Sequence, residues 1–128
     1  MEHHNRPSSI AEVERWSGSS QEFWFNVRDF LDEFRRLKDP AMLEEEPARS
    51  RLADLGEVAD AYLAAVAVSL ARELEVVPPQ WSLAEDRKLR APWFAHTGWR
   101  LRATLIAESP APFRERNLFV SENALSRA

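Results

Sequence analysis

The hydrophobic pattern is strongest between residues 55 and 74, where apolar side chains recur at helical spacing. One stripe of large side chains consists of Leu52, Leu55, Val58, Tyr62, Leu63, Val66, Leu70, Leu74 and Val77. A second stripe of smaller side chains consists of Ala61, Ala64, Ala65, Val68 and Ala71. A helix that is apolar around most of its circumference is a buried helix. The pattern therefore predicts a central helix with other helices packed around it.

Two helices are predicted before the central one. Ser8 or Ser9 can cap a short helix from Ile10 to Trp16, and Ser19 or Ser20 can cap a second helix over residues 20–38. We expect the second helix to pack antiparallel to the central helix or across it. Its apolar face is formed by Phe23, Val27, Phe30, Leu31, Phe34 and Leu37.

Trp24 and Phe25 widen this face beyond one stripe and need cover, which favours a homodimer. After the second helix, Asp39-Pro40 begins a short helical turn that ends at Pro47.

Prolines divide the chain beyond residue 77 into short elements. Pro78-Pro79 ends the central helix, because proline lacks the N–H that a helix needs. The remaining elements are predicted as an extended segment through Ser82, a short helix Leu83 to Leu89, a helix Trp99 to Ala107, a short helix from Pro110, an extended run Leu118 to Val120 and a last turn Glu122 to Ser126. Alternating apolar residues leave a strand as the alternative for residues 101–107. As a helix, this segment would have the apolar set Trp99, Leu101, Leu105 and Ile106.

These elements together predict an all-α fold with one domain over residues 1–128. We expect a compact bundle of about five to six helices around the central buried helix, residues 55–74. Residues 1–8 are expected to form a flexible start, and residues 78–128 a C-terminal half rich in tryptophan and arginine. A chain of 128 residues is long enough for one hydrophobic core.

Composition indicates a cytoplasmic protein. The chain has no cysteine, so disulfides are excluded. The apolar run from Ala59 to Ala71 is too short to span a bilayer, and residues 1–9 lack the apolar region of a signal peptide.

Charge is divided unevenly along the chain. Residues 1–76 contain 16 acids and 9 bases, whereas residues 77–128 contain 5 acids and 8 bases. The acidic first part disfavours nucleic acid, and the basic second part can meet an acidic partner. A DNA-binding regulator stays an alternative, because bases are interleaved with aromatic residues in the C-terminal half. These bases are Arg87, Lys88, Arg90, Arg100, Arg102, Arg114 and Arg116.

No catalytic constellation stands out, and we expect no cofactor, no metal site and a non-enzymatic protein. The chain has three glycines, Gly18, Gly56 and Gly98, and their separation rules out a phosphate-binding glycine loop. The histidines are His3, His4 and His96, too few for a structural zinc site without cysteine. An enzyme or small-ligand binder stays an alternative, with a pocket near His96 between the phenylalanine-rich helix and the tryptophans.

The leading hypothesis is a helical protein-interaction module. Tryptophan, phenylalanine and arginine are the residue types that anchor protein interfaces. The candidate partner-binding residues are Trp81, Trp93, Phe94, Arg114, Arg116, Asn117 and Phe119. In the alternative, the tryptophans close the hydrophobic core.

The C-terminal half also contains a recognisable series of motifs. These are Pro79-x-Trp81, Pro92-Trp93-Phe94, Glu108-Ser109-Pro110-x-x-Phe113-x-x-Arg116-Asn117-x-Phe119-Val120 and Ala124-Leu125-Ser126-Arg127-Ala128. The series resembles a group of uncharacterised bacterial proteins, common in actinobacteria. Some of those proteins carry an N-terminal repressor-like helix-turn-helix domain and are encoded beside a nucleotidyltransferase-like protein.

The resemblance covers residues 78–128 and, weakly, the central helix. It implies an antitoxin-like protein whose partner is a toxin-like or nucleotidyltransferase-like neighbour. It carries over no catalytic residues. Residues 1–50 show no repressor-type helix-turn-helix, which further disfavours DNA binding.

Overall fold

The computed structural model describes residues 5–95 and 98–125, and within these ranges the predicted all-α fold is confirmed. The helices are α1 (Ile10–Trp16), α2 (Ser20–Leu37), α3 (Glu57–Glu73), α4 (Trp99–Glu108) and α5 (Ala111–Arg114). Three 3-10 turns cover Pro40–Leu43, Gln80–Leu83 and Glu85–Arg87. Two short strands, β1 (Trp93–Phe94) and β2 (Leu118–Phe119), form a parallel pair.

Helix α3 is the centre of the bundle, as the sequence predicts. Every residue from Ala59 to Ala71 is buried, which includes the whole small-residue stripe. The large stripe is buried only at its centre, and Val77 at its end is 87% exposed, contrary to the prediction. Gly56 precedes the helix with φ +47, a conformation that strains residues with a side chain. Although α3 is the most apolar of the long helices, no helix within the described ranges is both long and apolar enough to cross a membrane.

Helices α2 and α3 run in the same direction, not antiparallel. At their first turns, the ring of Tyr62 lies 4.9 Å from that of Trp24. At their last turns, Arg35 Nη2 lies 3.2 Å from Glu73 Oε2. The connection over residues 38–56 makes this possible, since an extended chain of that length easily returns along a helix of about 27 Å.

Local capping signals place α1 and α2 as predicted. Ser9 accepts a hydrogen bond from the backbone of Glu12, and Ser19 accepts one from Glu22.

Of the N-terminal segment that was expected to be flexible, residues 5–8 are described. Pro7 is buried, and both the backbone N–H and the hydroxyl of Ser8 donate to the Glu12 carboxylate.

The predicted helix from Leu83 to Leu89 is wrong. The 3-10 turns Gln80–Leu83 and Glu85–Arg87 are separated by Ala84 in an extended conformation with φ −65 and ψ 140. The first turn also replaces the extended conformation that was predicted through Ser82. The break allows Arg87 to enter the protein interior, where its side chain is 0% exposed. Tertiary contacts of Arg87 therefore override the local helical preference.

Helix α4 forms as predicted, but its apolar set is only partly buried. Leu105 is 4% exposed, whereas Leu101 and Ile106 are 50% and 51% exposed. Leu101 and Ile106 lie about 140° apart around the helix axis, on either side of Leu105, so the short neighbouring elements cover only the centre of this face. The Trp99 side chain lies outside the described part of the chain. Leu37 at the end of α2 is also exposed, contrary to the prediction.

The side chains of Trp24 and Phe25 have different surroundings. The ring of Trp24 stacks on that of Trp93 at 6.1 Å, so the chain itself covers this tryptophan. Phe25 is 44% exposed. The homodimer stays a prediction. Because Trp24 is covered within the chain, it no longer supports that prediction.

The close packing around α3 predicts that its alanines cannot be enlarged. Ala65 is 0% exposed, so Ala65→Leu adds methylene groups where no space is left. We expect the free energy of unfolding to fall by about 1–3 kcal/mol, measured by urea denaturation. The control is Ala103→Leu on the exposed side of α4, which should change the free energy by less than about 0.5 kcal/mol. Equal effects of the two substitutions would show that α3 is not the packed centre.

Candidate functional site

The predicted partner-binding residues lie on the strand pair or shortly before β2, except Trp81, which lies in the 3-10 turn Gln80–Leu83. In the parallel register, Trp93 is opposite Leu118 and Phe94 is opposite Phe119. Successive side chains of a strand point to opposite faces. Leu118 is fully buried and Phe119 half-buried, so the first pair faces the core and the second faces outward.

Arg116 holds the C-terminal half together from inside. Its side chain is 3% exposed, and its guanidinium donates to the carbonyls of Pro112 and Ser82, each at 2.8 Å. Burial lowers the pKa of Arg116, which neighbouring Arg72 lowers further and Glu115 opposes. This side chain joins the 3-10 turn at Ser82 to α5 and is committed to the fold.

Trp81 and Asn117 also have structural partners within the chain. The Trp81 indole N–H donates to the Leu43 carbonyl at 2.9 Å. The Asn117 side chain donates to the Leu89 carbonyl at 2.8 Å, and its backbone carbonyl accepts from the N–H of Trp93 at 2.9 Å. Asn117 has φ +63, a conformation that asparagine tolerates better than most residues. These contacts align β2 with β1.

A small aromatic surface remains on the outer side of the strand pair. The rings of Phe94 and Phe119 stack at 5.0 Å, and the Arg102 guanidinium lies 4.9 Å above the ring of Phe94. We call Phe94, Phe119 and Arg102 the aromatic face. Arg114, another predicted contact residue, is exposed and donates to the Ser109 carbonyl.

A cavity of about 310 Å³ lies on the opposite, inner side of the strand pair. We call it the aromatic pocket, and it is lined by Trp24, Tyr62, Trp93, Ala95, Val120, Ser121 and Ala124. It lies between the phenylalanine-rich helix and a tryptophan, the place that the ligand-binding alternative requires. His96, the residue named for that alternative, lies outside the described part of the chain, as do His3 and His4.

Arg87 forms a second buried polar centre. Its guanidinium donates to the carbonyls of Pro47 at 2.6 Å and Asp60 at 3.1 Å, and it pairs with the Glu46 carboxylate at 3.0 Å. The same group lies 4.8 Å from the centre of the Trp81 ring. Arg87 thus ties the long connection before α3 to the segment after it.

Two acidic side chains, Glu14 and Asp60, are buried near this centre. Asp60 accepts a hydrogen bond from the Ser50 N–H at 2.7 Å, whereas the Glu14 oxygen Oε1 has no hydrogen-bond partner. Burial raises the pKa of Glu14, and the charge of Asp60 raises it further, against the opposing effects of Ser50 and Arg51.

Burial also raises the pKa of Asp60. The Ser50 N–H and the charges of Arg87 and Arg49 oppose this rise, and Glu57 adds to it. Carboxyl groups with raised pKa values are candidates for functional groups. In the described ranges, however, no group of three or more histidine or acidic side chains converges as metal ligands do.

Sequence reasoning missed the structural roles of Arg87 and the acidic pair. The position of Asp60 could have indicated a buried acid, since it is the acidic residue inside the apolar run of α3. Nothing in the sequence indicated that Arg87 is buried, because it lies among other charged residues and only the tertiary fold buries it.

Comparison of the chain with protein-family models, with characterised proteins and with solved structures finds no match.

Arg116 and its exposed neighbour Arg114 form a matched pair for separating structural from surface roles. Arg116→Met leaves the buried carbonyls of Pro112 and Ser82 without donors, so we expect a loss of roughly 3 kcal/mol in the free energy of unfolding. Arg114→Met should cost less than about 1 kcal/mol, because Arg114 is exposed. Urea denaturation measures both. Similar costs for the two variants would contradict the structural assignment of Arg116.

The raised pKa values of Glu14 and Asp60 predict a pH-dependent stability. The folded protein holds these protons more tightly than the unfolded chain, so their contribution is complete below the unfolded pKa of about 4. It is lost as the pH rises through the folded-state pKa values. Glu14→Gln removes one of these groups, so the free energy of unfolding should fall less steeply as the pH rises above about 4. Urea denaturation at a series of pH values measures this dependence.

Glu44→Gln, at an exposed position, is the control for the pH series and should reproduce the wild-type decline. If Glu14→Gln instead steepened the decline, the proposed desolvation of Glu14 would be incorrect.

Proposed function

We propose that this protein is a non-catalytic interaction module that binds another protein through the aromatic face. The observation that supports this is the stacked pair Phe94 and Phe119, held toward solvent with Arg102 across it. Aromatic rings and arginine together supply large contact area and directed hydrogen bonds, and they dominate the binding energy of protein interfaces.

The aromatic face is preorganised by its support. The backbone N–H groups of Trp93 and Ala95 donate to Asn117 and Phe119 at 2.9 and 3.0 Å, which fixes the two strands in register. Leu118 and Leu105 anchor β2 and α4 in the core below. A surface that is ordered before binding loses less conformational entropy when a partner docks.

A protein partner is favoured over nucleic acid by the distribution of arginines. Arg87 and Arg116, two of the bases that would contact phosphates, are buried and bonded to backbone carbonyls. The aromatic face exposes one cation beside two apolar rings, which suits an apolar partner surface with an acidic edge. The motif resemblance adds an antitoxin-like role, with a neighbour-encoded toxin-like or nucleotidyltransferase-like protein as the first candidate partner.

The proposal predicts that binding depends on Phe94 and Arg102. Tagged protein captures candidates from extract of the native host, and each candidate is then purified and titrated calorimetrically. Phe94→Ala and Arg102→Glu should each weaken binding by about tenfold or more, because they remove an anchor ring and reverse its cation.

Phe25→Ala is the matched control, since Phe25 is an exposed phenylalanine of α2 that does not belong to the aromatic face. It should leave the affinity within about twofold of wild type. A partner that binds folded Phe94→Ala and Arg102→Glu with wild-type affinity would exclude the aromatic face as its site.

A further inference from the structure

The aromatic pocket is a second candidate site, distinct from the aromatic face. Its walls come from α2, α3, β1 and the segment after β2, so four separate parts of the chain build it. Its volume of about 310 Å³ is at the lower end of the range for small-molecule sites. Trp93 faces this pocket, whereas the next residue, Phe94, belongs to the aromatic face on the other side of the strand.

Ring contacts hold the walls of the pocket in place. Tyr62 is packed edge-on by Trp24, Phe113 and Phe23, with ring centres at 4.9, 5.1 and 6.5 Å. Trp24 in turn stacks on Trp93 with an angle of 18° between the ring planes. These contacts restrict the rings before any ligand arrives, and three of the rings, those of Trp24, Tyr62 and Trp93, line the cavity.

The Tyr62 hydroxyl is the unusual feature of the pocket. Tyr62 is 7% exposed, and no hydrogen bond joins its hydroxyl to any described residue. Burial raises the pKa of Tyr62 to about 12, so the hydroxyl stays protonated and can donate.

The rest of the lining disfavours an anionic ligand. No charged side chain is among the described residues that line the pocket. Ser121, its other polar residue, already accepts a hydrogen bond from the Asn123 N–H at 3.1 Å. An anion would lose its hydration without a compensating partner, whereas a neutral ring would lose little.

We propose that the aromatic pocket binds a small, uncharged, planar heteroaromatic molecule that accepts a hydrogen bond from the Tyr62 hydroxyl. The aromatic walls select flat rings, and the hydroxyl selects rings with an acceptor atom. This site is independent of the protein-binding role proposed above, because it lies on the inner side of the strand pair.

Two probes of nearly equal shape test the proposal. Quinoline has a ring nitrogen that accepts a hydrogen bond, and naphthalene lacks it. Titrations of the isotope-labelled full chain, followed by chemical-shift changes in NMR spectra at neutral pH, give both affinities. We expect saturable binding of both, and Tyr62→Phe should weaken quinoline by roughly 3- to 10-fold while leaving naphthalene unchanged.

A second variant tests the location of the binding site. Ala124→Phe fills the pocket from the segment after β2 without removing an aromatic wall, and it should weaken both probes by at least about tenfold. Trp16→Ala, which removes an exposed tryptophan of α1, is the control and should bind both probes as wild type does. Phe94→Ala should also bind both probes normally, which separates this test from that of the aromatic face.

The proposal is overturned if quinoline shows no saturable binding, or if folded Ala124→Phe binds both probes as wild type does. It is likewise overturned if Tyr62→Phe weakens quinoline and naphthalene equally, since the hydroxyl would then make no selective contact.

Discussion

The burial of α3 on all sides from Ala59 to Ala71 is the constraint on which the rest of the structure depends. A helix covered on every side needs neighbours all around it, and this chain has only two other helices of ten residues or more in the described ranges, α2 and α4. Turns and extended segments therefore complete the cover. Such segments bring backbone carbonyls into the interior, and those carbonyls need donors.

Two arginines supply many of those donors. Arg87 donates to carbonyls before and within α3, and Arg116 donates to carbonyls of the 3-10 turn at Ser82 and of α5. A guanidinium has five N–H donors in one plane, so one buried side chain can join several irregular segments. The tryptophan at position 81 completes this arrangement by covering the guanidinium of Arg87. Tryptophans and arginines of the C-terminal half are thus divided between the interior and the surface.

Sequence reasoning predicted well the elements whose causes are local. The serine caps of α1 and α2 lie beside the helices that they begin, and the apolar stripes of α3 follow directly from helical period. The failures have distant causes. The break at Ala84 depends on where the guanidinium of Arg87 binds, and the common direction of α2 and α3 depends on the path of residues 38–56. The pairing of Trp93 with Leu118 joins residues far apart in the chain, so no local pattern indicated it.

The candidate sites show the same division. Residue types correctly indicated an aromatic and basic C-terminal half, but the sequence could not separate Phe94 and Phe119, which face outward, from Arg116, which is buried. Tyr62 belongs to the large apolar stripe of α3, so the sequence pattern indicated only a core residue and gave no sign that its hydroxyl is available to a ligand.

Two adjacent residues, Trp93 and Phe94, serve opposite sides of one short strand. A strand turns over completely when a single residue is inserted or deleted before it. Such a change between Leu89 and Trp93 would turn the Trp93 side chain outward and the Phe94 side chain inward. Trp24 would then lose the ring that covers it. Length in this short connection is therefore under tighter constraint than the identity of its residues, and a one-residue insertion there would damage both surfaces at once.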